Sequence, residues 1–158
     1  MNMMRKITVI SPANIAFIKF WGKKDPKLNI PFNDTLSMNL DSCLTRTTTE
    51  FNPSLKADKV IIGGVEVTGD KRERVVKILD LIRSKAKIEM FAKVESGNNF
   101  PSDAGIASSA SGFSALALSA SKAAGLNLNE KELFFFLRLC YNTKVTKLLS
   151  RVAEGLAR

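Results

Sequence analysis

The stretch Asn98-Asn99-Phe100-Pro101-Ser102-Asp103-Ala104-Gly105-Ile106-Ala107-Ser108-Ser109-Ala110-Ser111-Gly112 carries the residue types best suited to chemistry. From Ala104 to Gly112 only Ile106 is bulky, and Phe113 to Ala124 is helix-forming and rich in apolar residues. A loop of small residues that feeds a helix start lets backbone approach a ligand closely. It offers several unpaired N–H groups and the positive end of the helix dipole, which suits an anion. Ser108, Ser109 and Ser111 add hydroxyls able to hold phosphate or Mg2+. The same composition also describes a helix whose small face packs tightly on a sheet, and composition alone leaves both readings open. No Gly-Lys-Ser/Thr follows the glycine, so the loop is not of the P-loop type.

Pro101-x-x-x-Gly105-x-x-Ser108-Ser109-Ala110 resembles the phosphate-loop motif of the galactokinase, homoserine kinase, mevalonate kinase and phosphomevalonate kinase superfamily. A second stretch, Ser11 to Asn39, reads SPANIAFIKFWGKKDPKLNIPFNDTLSMN. Its ANIAxIKxWGK followed by LNxPxND resembles the opening of diphosphomevalonate decarboxylases, as does the Asn-Asn-Phe-Pro…Ala-Ser-Ser-Ala-Ser-Gly form of the loop. The resemblance covers about residues 7 to 133. It implies the superfamily's N-terminal α+β domain, which resembles a ribosomal-protein domain, with a mixed sheet covered by helices on one face. It also implies ATP and Mg2+ as reaction partners, with transfer of the γ-phosphate to the substrate's tertiary hydroxyl. Loss of phosphate and CO2 then yields isopentenyl diphosphate for isoprenoid biosynthesis.

Residue by residue, the resemblance places Asn98, Pro101, Gly105, Ala107, Ser108, Ser109, Ala110 and Ser111 on the ATP phosphates, with Ser109 on Mg2+. It places Phe20 and Lys23 on the substrate diphosphate and Lys19, the catalytic candidate, near the reacting hydroxyl. Asn14 supports substrate binding, Trp21 and Gly22 complete that wall, and Arg74 reaches the diphosphate. The plainer account of Lys19 and Lys23 is solvent-facing charge, although a lysine on an otherwise apolar strand must sit at an edge or find an anion. The plainer account of Arg74 is an exposed helix arginine. Two positions depart from the pattern. Phe20 stands where the family has Tyr, losing a hydroxyl donor, and Asp103 stands where it has a small uncharged residue. A helix N-cap is the expected use of Asp103, since a carboxylate beside a phosphate loop is otherwise repulsive.

After Leu133 the resemblance stops. The family continues to a Gly-Ser-Gly-Ser-Ala-Cys-Arg segment and a catalytic aspartate, whereas this chain reads FFFLRLCYNTKVTKLLSRVAEGLAR. The expected division is therefore 1–133 for the kinase-superfamily domain and 134–158 for an atypical helical tail. Three origins fit: a truncated gene or fragment, a frameshift after Leu133, or a standalone half that pairs with another chain. On any of them the 158-residue chain alone is expected not to decarboxylate, and Phe134-Phe135-Phe136 suggests a surface against which an absent half packs.

Composition bounds the rest. At 158 residues, 45% hydrophobic and 25% charged, the chain reads as one globular domain. No apolar run approaches the roughly 20 residues that span a bilayer, and the short N-terminal run passes directly into the Asn14 motif, unlike a signal peptide. Cys43 and Cys140 have neither metal-ligand spacing nor disulfide density and read as packing residues in a reducing cytoplasm. The net charge of +9 suits a polyanion, either a diphosphate and ATP or nucleic acid. The basic residues are dispersed apart from Lys19, Lys23, Lys24 and Lys27, and one Tyr and one Trp are few for base stacking. The expected partners are thus ATP and a small diphosphate, with neither nucleic acid nor membrane; a homodimer is possible by family. The alternatives are a superfamily kinase acting on mevalonate or its phosphates, and a basic RNA-binding module. With no histidine, proton transfer and metal binding fall to carboxylates, lysines or hydroxyls.

The elements that must position these residues follow from pattern. Lys6–Ile10, Ile15–Trp21, Leu36–Leu40, Thr45–Phe51 and Ile88–Val94 read as strands, with a loop at Leu28–Asn33. Val60–Val67 reads as a hairpin turning at Gly63-Gly64. A helix from Asp70 as N-cap runs to Ser84, and a second covers 106–124, ending at Gly125 as a left-handed cap. Asn129 caps a third.

Overall fold

In the computed structural model, residues 5–18, 22–25, 30–34, 36–102, 106–129 and 131–133 are described. Lys19, Phe20, Trp21, Asp103, Gly105, Cys140 and the proposed 134–158 tail lie outside them. The elements are β1 (Lys6–Ile18), β2 (Lys23–Asp25), β3 (Ile30–Pro31), β4 (Leu36–Asn52), β5 (Lys59–Ile62), β6 (Val65–Glu66), α1 (Gly69–Ala86), β7 (Phe91–Asn98) and α2 (Ser108–Ala123). A five-stranded sheet has the order β1-β4-β7-β5-β6, and β2 pairs with β3 apart from it. Only β5 against β7 is parallel, so the sheet is mixed. The α+β expectation with a mixed sheet holds.

Period-two alternation decides which face is covered. Val9, Ser11, Thr45, Thr47, Thr49, Phe51, Val60, Ala92 and Val94 are all buried on one face. Val75, Ile78, Leu79 and Ile82 of α1, and Leu116, Ala117 and Ala120 of α2, pack with Phe51, Val60, Ala92 and Val94 in one cluster. Both helices therefore lie on the same side, as expected. The other face is polar: Thr8 and Thr48 join hydroxyls at 2.8 Å, and Lys93 pairs with Glu95 at 2.7 Å.

Several boundaries differ from the sequence reading: β1 is continuous from Lys6 to Ile18, α1 runs on to Ala86, α2 is Ser108–Ala123, and four further differences have a local cause. Leu36–Leu40 and Thr45–Phe51 are one strand, because β1 pairs with β4 on both sides of residues 41–43, which form an irregularity in the register. The cap position of α1 is Thr68 and not Asp70, since Gly69 starts the helix with φ +59° and leaves Asp70 in the first turn. There the carboxylate still complements the helix dipole. The strand expected at Ile88–Val94 runs Phe91–Asn98, its end carried forward by the pairing of Thr45 with Asn98. The loop expected at Leu28–Asn33 contains the short β3.

The helix ends conform. Gly125, φ +79°, follows α2; its N–H donates to Lys122 O at 3.0 Å and that of Leu126 to Ser121 O at 2.9 Å, a Schellman arrangement. Asn129 and Glu132 form a reciprocal capping box, each side chain accepting the other's backbone N–H at 3.0 Å. The Asn129 N–H, and then the Lys85 ammonium, hold the Glu132 carboxyl below the ordinary glutamate range. A depressed value means that the box contributes above the ordinary value and is lost as pH falls through the lowered one. Carbon-detected titration of Glu132 should give a midpoint below that of a free glutamate, with exchange of the Glu132 amide rising in the same window. An unshifted midpoint would mean that the box does not persist in solution. Among the described residues, no helix is long and apolar enough to cross a membrane.

Candidate functional site

The site grows out of the β4–β7 ladder. Thr45 pairs with Asn98 and Thr47 with Ser96, and each threonine donates or shares a hydroxyl bond with its partner at 2.8 Å. Thr45 and Thr49 also reach α2, through Ser111 at 2.6 Å and Ser119 at 2.8 Å. Small side chains let α2 sit close to the sheet, with Ser111, Ala115 and Ser119 fully buried against it. Of the two readings left open by composition, the tight packing of a small helix face on the sheet is present in the structure. Residues 111, 115 and 119 form a small packing face, while Ser108, Ser109, Gly112, Phe113 and Leu116 turn toward a cavity.

That inward turn sets Ser111, one of the hydroxyls expected on phosphate, against the sheet and not in the cavity lining. Its Oγ is fully buried and donates to Ser108 O at 2.9 Å. It serves as a helix–sheet joint. Ser109 is exposed and lines the cavity, and Ser108 ties the loop together by donating to Ser102 O at 2.6 Å. Ala107, immediately before the helix, has φ +45° and ψ +41°, a conformation that costs a non-glycine residue about 1 kcal/mol or more. It turns the chain into α2, whose first N–H groups, as at any helix start, lack carbonyl partners one turn earlier in the helix. The turn is closed by Ala110 N–H donating to Ala107 O at 2.9 Å.

The cavity measures about 380 Å³, within the range of small-molecule sites. Its floor is Thr47, Val60, Val75, Val94 and Leu116; Ser96 and Asn98 stand on one side, Ser102, Ser108 and Ser109 on another, and Lys71 and Arg74 on a third. Arg74 thus joins the loop across open space, and Lys71, one helical turn before it, joins with it. Lys71 is missed by motif reading, although its spacing of three from Arg74 on α1 is the signal that places both on one face.

What holds those two cations in place is also invisible to motifs. The buried Asp58 carboxylate accepts both guanidinium nitrogens of Arg83, at 2.8 and 2.9 Å, and the Ala92 N–H at 2.8 Å. Arg72 donates to Asp58 O at 3.2 Å, and Arg83 also pairs with Asp80 and lies 5.9 Å from the Phe91 ring centroid. Burial alone would lower the Arg83 value; the bonds to Asp58 and Asp80 outweigh it and hold the guanidinium above its ordinary value. Residues before β5, in α1 and at the start of β7 are thereby clamped together, Arg83 tying the last turn of α1 and Arg72 the region near its start.

The expected substrate wall is only partly within the described residues. Asn14 is buried on β1 and paired in register with Asn39. Gly22, φ +87°, is exposed and accepts the Phe32 N–H at 3.3 Å, and Lys23 opens β2 opposite Pro31. Neither Asn14 nor Gly22 lines the cavity, so Arg74 is grouped with the loop rather than with them. Pro101 is exposed just ahead of Ser102, and Ala110 lies half-buried in the first turn of α2. Cys43 is a free, half-buried thiol on β4. Among the described residues no cluster of three or more His, Cys, Asp or Glu could hold a metal ion, and the cavity lining contains no carboxylate. The donor set fits Mg2+ only as an ion carried on phosphates with a hydroxyl such as that of Ser109.

Residues 11–141 match the family model described as diphosphomevalonate decarboxylase-like N-terminal domain. The phosphomevalonate decarboxylase of Haloferax volcanii is 37% identical over 115 residues, 73% of this chain and 36% of that relative. The crystal structure of mevalonate diphosphate decarboxylase from Staphylococcus aureus superposes with a TM-score of 0.80 at 37% identity, over 89% of this chain and 42% of that one. The structure of MDDEF in complex with MVAPP, AMPPCP and magnesium gives a TM-score of 0.76 at 40% identity, over 85% of this chain and 42% of that one. The chain spans little more than a third of the length of the curated relative from Haloferax volcanii.

Proposed function

The chain belongs to the diphosphomevalonate decarboxylase-like N-terminal domain family, and from that premise we propose that it serves ATP-dependent decarboxylation of mevalonate 5-diphosphate to isopentenyl diphosphate. Its share is the nucleotide loop and one wall of the substrate site. The observation that carries this reading is the convergence on one cavity of the α2 start, the Ser102, Ser108 and Ser109 cluster, and the Lys71 and Arg74 side chains. An apolar floor beside hydroxyls, helix N–H groups and two cations suits a nucleotide whose base and phosphates need opposite surroundings. The relative solved with MVAPP, AMPPCP and magnesium supports the same pair of ligands.

In this reading the first-turn N–H groups of α2 and the Ser109 hydroxyl hold the phosphates, while Lys71 and Arg74 offset their charge. Phe20 and Lys23 are assigned to the substrate diphosphate, Lys19 to the reacting hydroxyl, Trp21 and Gly22 to the rest of that wall, and Asn14 to support of substrate binding. Mg2+, when bound, neutralises charge on the transferring phosphoryl group. The chain's contribution is electrostatic positioning: it brings two polyanions together without letting them repel. The unit assigned to this task is residues 1–133, with 134–158 outside it, although the family match runs on to residue 141.

Phosphomevalonate is the second reading for the substrate. It is favoured by the Haloferax volcanii relative, named a phosphomevalonate decarboxylase, and by Phe20, which lacks the hydroxyl donor of the family tyrosine.

Calorimetric titration of the chain with Mg-ATP, and then with mevalonate 5-diphosphate or 5-phosphate, tests both readings. Saturable Mg-ATP binding is expected, with tighter binding of the diphosphate than of the monophosphate. The reverse order would move the assignment to phosphomevalonate, and no nucleotide binding would remove the reading. Lys23→Ala should weaken the diphosphate roughly tenfold to a hundredfold, the worth of a charged hydrogen bond, and leave Mg-ATP within twofold. Equal losses for both ligands would make Lys23 structural.

A further inference from the structure

Asn99 is the first residue past β7, and no role described above uses it. Its N–H donates to Leu44 O at 3.1 Å. The Leu44 N–H is accepted by the Asn99 side-chain Oδ1 at 2.7 Å, and the Asn99 Nδ2 donates to Ser42 O at 2.9 Å. In an antiparallel ladder, two residues of a bonded pair exchange main-chain N–H and C=O groups. Here the side-chain oxygen takes the place of the main-chain carbonyl. The backbone is released from the sheet at Phe100 while Leu44 remains satisfied.

This substitution occurs where β4 is irregular. Its register against β1 jumps from Pro12↔Leu44 to Ala13↔Leu40, leaving residues 41–43 without partners in that register. Asn99 ties this bulge to the head of the loop through Ser42 O and Leu44 N–H. Three residues on, Ser102 O accepts the Ser108 hydroxyl at 2.6 Å, which connects the head of the loop to the start of α2.

We infer that Asn99 is a positioning residue for the phosphate loop: its amide ends β7 without ending the pairing and sets where Ser102 and the α2 start stand above the cavity. The inference rests on the nucleotide reading only for its functional meaning. Asn99 is exposed, so removing its amide leaves no buried orphan and changes overall stability little. Loop placement and fold stability can therefore be separated.

The experiment compares the chain with Asn99→Ala and Asn99→Asp by amide hydrogen exchange without ligand and by Mg-ATP titration. In Asn99→Ala, exchange at Leu44 and at residues 108–111 should quicken about tenfold, α1 should not change, and the unfolding midpoint should hold. Asn99→Asp keeps the acceptor for Leu44 but loses the donor to Ser42, and should fall between. Mg-ATP affinity should drop roughly tenfold in Asn99→Ala and less in Asn99→Asp. Unchanged exchange at 108–111, or an equal rise in α1, would overturn the positioning role. If the parent chain bound no Mg-ATP, the nucleotide reading would fall and the exchange pattern alone would decide for or against Asn99.

Discussion

Asp58→Ala should destabilise the chain by about 3–5 kcal/mol, the usual cost of removing one partner from a buried ion pair. The Asp58 side chain is 3% exposed and that of Arg83 12%, so the stranded guanidinium cannot simply rehydrate. The Ala92 N–H loses its acceptor in the same step. Since a domain of this kind has a net stability of about 5–15 kcal/mol, denaturant midpoints should fall steeply. Asp80 offers little rescue, being 62% exposed and therefore weak as a partner. Asp58→Asn should cost less, because it still accepts the Ala92 N–H. Replacing both members, as in Asp58→Leu with Arg83→Met, should recover much of the loss, since it removes the orphaned charge as well as the pair. A drop below about 1 kcal/mol for Asp58→Ala would show that the apolar contacts of Ile78, Leu79 and Ile82 hold α1 without the clamp. Loss of the clamp should also lower Mg-ATP affinity, because Lys71 and Arg74 depend on the placement of α1.

How much of this was legible in sequence varies with the range of the interaction. The Gly63-Gly64 hairpin, the α1 periodicity, the Gly125 termination and the Asn129 cap are local signals, set by a few adjacent residues, and all four are present in the structure. The motif resemblance carried the family and the fold class with them. The continuous β4 was not legible, since Asp41-Ser42-Cys43 reads as a polar break, and it is bridged by β1 pairing on both sides and by Asn99 holding Ser42 O. Asn98 reads as loop by its type, yet belongs to β7 because Thr45, far away in sequence, pairs with it. The burial of Ser111 was not legible for a related reason. Three serines in a helix start look equivalent in a string, and a turn of about 100° per residue separates the one facing the sheet from those facing the cavity. The Asp58 clamp has no motif, because its members lie on three separate stretches of chain, the segment before β5, α1 and β7.

That angular separation makes the last prediction sharp. Ser109→Leu should weaken Mg-ATP binding at least about a hundredfold, by two additive routes: a lost hydrogen bond to phosphate, about 1.5–3 kcal/mol, and a bulky side chain forced into an occupied site, about 1–3 kcal/mol. Ser109→Ala, which removes only the hydroxyl, should cost roughly tenfold to a hundredfold. Neither change should disturb the fold, because Ser109 is exposed at the helix start and both replacements favour helix at least as well as serine. Ser111→Ala, two residues away, should behave oppositely. It should lower stability by about 1–2 kcal/mol through loss of the buried bond to Thr45 and leave nucleotide affinity within twofold. Calorimetric titration paired with denaturant melts of the same three variants checks both halves. Nucleotide affinity in Ser109→Leu within threefold of the parent would place the phosphates elsewhere. A large affinity loss in Ser111→Ala with unchanged stability would mean that the helix presents the opposite face to its ligand.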